Sequence, residues 1–212
     1  TVFQGTKLSL RRWFMAIYLI SQAKTGLSAL ALMRHLGVSY QTAWLVHHKL
    51  MAVMTAREER YVLEGQVQID DAYLGGERNG GTAGRGSENK VPFIAAVSLT
   101  DDGRPVRAKL TPVATFSSEA VAQWARSNLA VGCTVHSDGL GCFRAVTTAG
   151  CRHEPVTIAG RKPKEMPEFQ WVNTVLGNLK TSLSGCYHAF AYRKYAARYL
   201  GAFAYRFNRR FN

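Results

Sequence analysis

Acidic residues are scarce in this chain. Its 212 residues contain 14 Asp and Glu against 27 Lys and Arg, which gives a formal net charge of +13. A balance this basic argues for a polyanionic partner and not for any particular fold. The excess is concentrated after residue 160, where ten basic residues are accompanied by only two glutamates. Such clustering is typical of phosphate binding, although a solvated helical face has the same composition.

Cysteines and long apolar runs are also few. None of the four cysteines forms a C-x-x-C pair, which argues against a zinc ribbon. Their wide spacing indicates reduced thiols in a cytoplasmic protein and not a disulfide framework. No run reaches the roughly 18 apolar residues of a membrane span, so no membrane partner is expected. Because the chain begins at Thr1 and stops abruptly after Arg210-Phe211-Asn212, we expect residues to be missing at both ends.

Residues 8–55 have the apolar spacing of helices. A helical segment over 28–36 is followed by a break at Gly37-Val38-Ser39 and a second helical segment from Tyr40. Two helices joined by a short glycine-bearing turn are typical of a helix-turn-helix, with Ser28 and Ser39 as N-caps. An ordinary helical hairpin with a glycine corner is the alternative.

In a helix-turn-helix, the start of the second helix faces the major groove of DNA. We therefore expect Ser39, Tyr40, Gln41 and Thr42 to lie near base edges or phosphates. The polar residues Gln41 and Thr42 occupy positions from which such a helix reads DNA.

From residue 64 onward, the apolar period changes to two. The pattern predicts strands at 64–74, 91–99, 106–112, 132–137 and 152–158, helices at 117–129, 140–149, 169–184 and 190–207, and a glycine-rich loop at 75–90. The order β-β-β-α-β-α-β-α predicts an α/β domain whose first three strands are antiparallel, as in the ribonuclease-H-like fold.

Three polar residues stand at the ends of these elements. Asp70 and Asp138 each end an alternating run, and Asn173 opens a helical segment. In this fold the first and fourth strands are adjacent, so the two carboxylates could face one pair of metal ions. Two divalent ions about 4 Å apart can bind the attacking and leaving oxygens of a phosphoryl transfer. Each residue also has a structural alternative, since Asp and Asn are common in turns and caps.

Four further residues bear on this site. Lys180 lies seven residues after Asn173 and returns to within roughly 20° of its face, where a cation could hold a phosphate. Asp71 is a second candidate ligand, but strand alternation points it away from the face of Asp70. Glu165 or Glu168 could supply a third carboxylate if Asn173 does not.

Several motifs resemble the insertion-sequence transposases of the IS 1595 group. They are Ile69-Asp70-Asp71-Ala72-Tyr73-Leu74-Gly75-Gly76, His136-Ser137-Asp138-Gly139, Asn173 to Lys180, Gly185-Cys186-Tyr187-His188 and Tyr205 to Arg210. The segments Thr6 to Trp13 and Gly26 to Trp44 resemble the helix-turn-helix of the same proteins. The resemblance covers essentially the whole chain, through the order and spacing of the motifs.

The resemblance implies a DDE-type transposase, a polynucleotidyl transferase that cleaves element ends and transfers strands with two Mg²⁺ (or Mn²⁺) ions. Asp70 and Asp138 match its first two acidic positions. Asn173 and Lys180 match the third position and the following lysine of a D-D-N-K variant. Family members often carry Glu at position 71 and a zinc ribbon before it, and this chain has neither.

This interpretation divides the chain into a helical DNA-binding segment over 1–56 and a catalytic domain over 57–212 with basic C-terminal helices. The expected partners are DNA and further copies of the chain, at least a dimer, on the nucleoid in the cytoplasm. Five basic residues are expected to contact phosphates: Arg193, Lys194, Arg198, Arg209 and Arg210. An inactive DNA-binding protein and a hydrolytic nuclease of the same fold are the alternatives.

Overall fold

The structure, a computed structural model, describes residues 2–76, 87, 89–156, 166–187 and 190–210. Most of the predicted glycine-rich loop, the end of the predicted strand 152–158, Glu165 and His188 lie outside these residues. The described part contains six α-helices: α1 (Leu10–Gln22), α2 (Ala29–Leu36), α3 (Tyr40–Glu59), α4 (Ser118–Asn128), α5 (Gln170–Ser182) and α6 (Tyr192–Phe207). A π-helical turn, Leu183–Tyr187, follows α5.

Five strands form one mixed sheet: β1 (Gln66–Leu74), β2 (Val91–Leu99), β3 (Pro105–Pro112), β4 (Thr134–Ser137) and β5 (Arg152–Pro155). Their order is β3-β2-β1-β4-β5. The first three strands are antiparallel, and β4 and β5 run parallel to β1. This is the ribonuclease-H-like arrangement that the sequence predicts, with helices at the N-terminus.

Capping side chains define the two helices α2 and α3. Ser28 and Ser39 each accept a backbone N–H from three residues further on, as predicted. Gly37 ends α2 at φ 61°, a left-handed conformation that glycine adopts without steric cost, and its N–H bonds the carbonyl of Met33. These contacts produce two helices joined by a tight turn.

Both faces of the sheet are covered by helices. One face, with Phe93 and Leu110, packs against α5 and α6 through Val172, Val175 and Leu200. The other face, with Val67 and Ile69, packs against α4 and the segment after β4. A third cluster joins α1, α2 and α3 around the fully buried Trp13, Leu32 and Met51. Since strand alternation sends odd- and even-numbered residues of β1 to opposite faces, Asp70 faces α5.

Helix α6 contacts both the sheet and the N-terminal helices. Leu200 and Phe203 belong to the sheet cluster, and Ala202 belongs to the helical cluster. Gly201 lies so close to Thr55 of α3 that a Cβ at position 201 would clash with the Thr55 Oγ1. The predicted boundary between residues 56 and 57 falls inside α3, which continues to Glu59.

The predicted helix over 140–149 is a 3₁₀ helix, Gly141–Ala149. Its apolar residues Phe143, Val146 and Ala149 recur every three positions and pack against the sheet. A repeat of three matches the 3₁₀ helix better than the 3.6-residue turn of an α-helix.

The structure joins no two of the four cysteines in a disulfide. In the described part of the chain, no helix is both long enough and apolar enough to cross a bilayer.

Candidate active site

The register of β1 against β4 places two of the predicted ligands side by side. The parallel pairing runs from Gln66 opposite Thr134 to Gln68 opposite His136. Asp70, within β1, and Asp138, directly after β4, each lie two residues beyond this last pair. The Asp138 Oδ1 accepts the backbone N–H of Leu140 at 3.0 Å, which holds its carboxylate at the end of β4.

Three carboxylates converge at this point. One oxygen each from Asp70, Asp71 and Asp138 lie within 4.8 Å of one another, and all three residues are half-buried. Strand alternation places Asp71 on the face of β1 opposite to Asp70, yet one oxygen of its carboxylate lies within 4.8 Å of the other two. The two adjacent aspartates at positions 70 and 71 were the sequence signal for this arrangement.

The cluster raises the proton affinity of its central member. Burial, then the negative charges of Asp71 and Asp138, raise the pKa of Asp70 to about 7. The backbone N–H of Asp71 and the ammonium group of Lys180 act in the opposite direction. Because the Lys180 charge influences Asp70, α5 brings its last turn near the carboxylates.

Helix α5 carries the other two predicted site residues. Asn173 and Lys180 are both exposed and, being seven residues apart in one helix, share a face. Helix α5 packs on the face of β1 that carries Asp70. The structure thus places both residues on the helix that packs on the face of β1 carrying Asp70.

The start of α5 is bonded to β1 by a side chain that the sequence reasoning overlooked. The Gln68 Oε1 accepts the backbone N–H groups of Trp171 at 2.9 Å and Val172 at 3.1 Å. Its Nε2 donates to the carbonyl of Pro167 at 3.1 Å. The available signal was a glutamine at an inward-facing position of a buried strand, two residues before Asp70.

The alternative third carboxylates do not join the cluster in the described part of the chain. Glu168 is half-buried in the short 3₁₀ turn Pro167–Phe169 and lies outside the group formed by the three aspartates. Glu165 lies outside the described residues.

The predicted DNA-reading residues lie at the start of α3. The hydroxyls of Ser39 and Thr42 are 2.9 Å apart and bond each other, so both belong to the helix cap. Tyr40 and Gln41 are exposed, Tyr40 by 50%. Tyr40 and Gln41 therefore add two exposed side chains to the exposed Ser39 at this end of the helix.

Three of the predicted phosphate-binding residues lie on α6. Arg193 and Lys194 are exposed, and the Lys194 ammonium lies 5.2 Å from the centre of the Tyr195 ring. Arg198 is half-buried, and its Nη1 lies 3.3 Å from the Nδ1 of His48. Burial and the Arg198 charge lower the pKa of His48 to about 4, so this imidazole is neutral at pH 7.

Arg209 and Arg210 are bonded inside the protein. The Arg209 Nη1 lies 2.6 Å from an oxygen of Glu58, and its guanidinium stacks on Tyr205 at 3.7 Å. Arg210 donates to the carbonyls of Phe207 and Pro105 at 2.8 and 2.6 Å. Their contact with phosphates stays a prediction. In the structure, both residues hold the segment that follows α6 against neighbouring elements.

Glu58 is the centre of this second charged cluster, which the sequence did not indicate. It is 5% exposed and bonds Arg209, Arg107 and the Nδ2 of Asn208, the last at 2.6 Å. Asn208 also exchanges two hydrogen bonds with the backbone of Ala108 in β3. The terminal motif therefore ties α6 to both α3 and the sheet.

Comparison with known proteins shows similarity to mobile-element proteins. A family model described as the ISXO2-like transposase domain matches residues 62–208. An uncharacterised protein in the transposable element ISH50 of Halobacterium salinarum is 32% identical over 124 residues. That match covers 51% of this chain and 41% of the relative, so the chain spans well under half of the relative's length.

A solved structure also aligns along the chain. The crystal structure of a pre-cleavage Mos1 transpososome shares 11% identity, with 96% of this chain and 81% of that chain covered. Its TM-score of 0.29 is too low for the alignment to carry an argument about fold or function.

Proposed function

This chain belongs to the ISXO2-like transposase domain family, and we propose that it cleaves DNA at the ends of an insertion sequence and transfers them into target DNA. The observation that supports this proposal is the convergence of Asp70, Asp71 and Asp138 within 4.8 Å. Water would break a phosphodiester at the element end and leave a 3′-hydroxyl. That hydroxyl would then attack a target phosphodiester and displace its 3′-oxygen.

The carboxylate cluster fits a divalent metal ion. Carboxylate oxygens are the ligands that Mg²⁺ prefers, and three of them share one small space. Their mutual repulsion, which contributes to the raised pKa of Asp70, is relieved by a cation. When bound to Asp70 and Asp138, with Asn173 as the third residue, Mg²⁺ supplies Lewis-acid stabilisation of a phosphoryl transfer.

The remaining site residues orient and neutralise the substrate. The Lys180 ammonium, on the face of α5 shared with Asn173, holds a non-bridging phosphate oxygen beside the carboxylates. Phosphoryl transfer depends on positioning and charge neutralisation, which are the tasks of such a cation. The Asp138 carboxylate is held in place by the Leu140 N–H, so it needs little rearrangement.

DNA would be held by two surfaces outside the carboxylate cluster. The exposed start of α3, with Tyr40 and Gln41, would contact one region of the duplex. The exposed Arg193 and Lys194 of α6 would contact phosphates. Because transposition joins two element ends, we propose that at least two copies of the chain act together on DNA.

The proposal is tested by a cleavage and joining assay. The full chain is incubated with a labelled duplex that carries the inverted repeats flanking its coding region, with Mg²⁺ or with EDTA. We expect Mg²⁺-dependent cleavage at the repeat boundary, joined products on a target plasmid, and loss of both in Asp138→Asn. Asp101→Asn, in the exposed turn between β2 and β3, is the matched control and should behave as the wild type.

The assay also separates the two alternatives. Cleavage without joined products would indicate a hydrolytic nuclease. DNA binding without cleavage, together with no saturable Mg²⁺ or Mn²⁺ binding, would indicate an inactive DNA-binding protein, which the neutral amide of Asn173 favours. Either result would reject the transposase activity proposed for this chain.

A further inference from the structure

Gln68 uses every polar atom of its side chain to hold the start of α5. Its Oε1 accepts two backbone N–H groups, from Trp171 and Val172, and its Nε2 donates to the carbonyl of Pro167. The side chain is 2% exposed, so water cannot replace these three bonds. About a hundred residues of sequence separate the two ends of this contact.

Helix α5 lacks a local cap. The residue before it, Phe169, offers no side-chain acceptor to the first turn. The first N–H groups of any helix have no partner within the helix, and a buried N–H without an acceptor is unfavourable. Gln68 is therefore the N-cap of α5, supplied by a neighbouring strand instead of by the preceding residue.

The position of Gln68 connects two parts of the candidate site. It lies two residues before Asp70 on the same face of β1. Val172, to which it bonds, lies directly before Asn173. The Gln68 amide thus joins β1, which carries Asp70, to the first turn of α5, which carries the proposed ligand Asn173.

We infer that Gln68 is a positioning residue that sets the distance between Asp70 and Asn173 and so allows a neutral amide to complete the site. This inference rests on the proposed function of Asn173 in metal-dependent cleavage. An exposed asparagine on a helix end that could shift would be a poor ligand. A helix end fixed to the strand of Asp70 removes that freedom.

The first experiment replaces Gln68 by a side chain of similar size that makes no hydrogen bond. Gln68→Met should lower the rate of Mg²⁺-dependent cleavage about 100-fold, the order expected for a small misplacement of a reacting group. DNA affinity should stay within about threefold, because the proposed contacts of Tyr40, Gln41, Arg193 and Lys194 with DNA lie on α3 and α6. Amide hydrogen exchange at Trp171 and Val172 should accelerate, which reports the opened helix start independently of activity.

Two further variants of the strand provide the controls. Gln66→Met changes a glutamine on the same face of β1 that bonds His136 of β4 and not α5, so activity should be retained. Gln68→Glu keeps an acceptor for the two N–H groups and places its charge at the positive end of the helix. It should restore cleavage to within about fivefold of the wild type, a rescue that loss of packing would not show.

The decisive measurement is a double-mutant cycle with Asn173→Ala. If Gln68 acts through Asn173, adding Gln68→Met to Asn173→Ala should lower cleavage by no more than about threefold. A full 100-fold loss in that background, or a Gln68→Met enzyme that cleaves normally, would overturn the inference. Absence of cleavage by the wild type would instead reject the proposed function, so the two failures can be told apart.

Discussion

Glu58 and Asp70 are both acidic side chains withdrawn from water, but their surroundings are opposite. Glu58 is bonded by Arg107, Arg209 and Asn208. Asp70 lies beside two other carboxylates, and Lys180 is the counter-charge that acts on it within the described residues. A paired buried charge stabilises a junction between elements, whereas a cluster of like charges costs stability and is typical of a functional site.

The largest expected effect comes from substitutions in the carboxylate cluster. Asp70→Asn should lower Mg²⁺-dependent cleavage by about 1,000-fold, since metal coordination contributes several kcal/mol to such reactions. Asp71→Asn should cost about tenfold, because it leaves the facing pair Asp70 and Asp138 in place. Single-turnover cleavage rates measure both. Equal losses in the two variants would show that Asp71 shares the role assigned to Asp70.

The second prediction removes the charge at the paired site. Glu58→Gln should lower the free energy of unfolding by about 3 kcal/mol, because it leaves the Arg209 guanidinium without its carboxylate. Glu59→Gln, the next residue of α3 and exposed, should change it by less than about 0.5 kcal/mol. Urea unfolding of the metal-free protein measures the difference. Similar values for the two variants would mean that the Glu58 network contributes no stability.

The third prediction concerns the dependence of stability on pH. The pKa of Asp70 in the folded protein, about 7, lies above its ordinary value of 3.8, so ionisation of this carboxyl disfavours folding. The penalty is absent below about pH 4, grows as the pH rises to 7 and is constant above it. Metal-free Asp70→Asn should therefore gain stability relative to the wild type across that range, by about 1.4 kcal/mol per pH unit.

The measurement is a series of unfolding curves from pH 4 to pH 9, with and without Mg²⁺. Added Mg²⁺ should stabilise the wild type and reduce its disadvantage relative to Asp70→Asn, because a ligand that binds the folded state favours it. A difference between the two proteins that did not vary with pH would contradict the origin assigned to the shift.

The smallest expected effect is on the salt dependence of DNA affinity. It distinguishes exposed basic side chains from those whose guanidinium groups are bonded within the protein. Arg193→Ala and Lys194→Ala should each flatten the slope of log affinity against log salt by about 0.9, the value for one lost phosphate contact. Arg209→Ala and Arg210→Ala should flatten it less, because their guanidinium groups already bond Glu58 and backbone carbonyls. Fluorescence anisotropy with a labelled duplex gives the slopes. Equal slopes for all four variants would contradict this division.

Much of the fold follows from local patterns in the sequence. The apolar run at 91–99 predicts β2 with the bounds that the structure gives. The change of apolar period near residue 64 predicts the start of the sheet, and Ser28, Ser39 and Ser117 cap the helices that follow them. The adjacency of the first and fourth strands was inferred from the succession of elements typical of the ribonuclease-H-like fold, and the strand order confirms it.

The candidate site was predicted less completely, because its contacts join residues far apart in sequence. The placement of Asp138 beyond the last β1–β4 pair follows from the strand order. The inclusion of Asp71 depends on how far its side chain reaches, which strand alternation does not describe. The roles of Gln68 and Glu58 depend on partners about 100 and 150 residues away, and no local pattern reveals them.

The contact between Gly201 and Thr55 would set the distance between the N-terminal helices and the carboxylate cluster. It packs α6, which also contacts the sheet, directly against α3 of the N-terminal helices. A duplex bound at Tyr40 and Gln41, as proposed, would then reach the carboxylates at a fixed distance along the DNA. That distance can be counted in base pairs. Cleavage would occur at a constant offset from the bound sequence, and the offset would be determined by the packing of two helices.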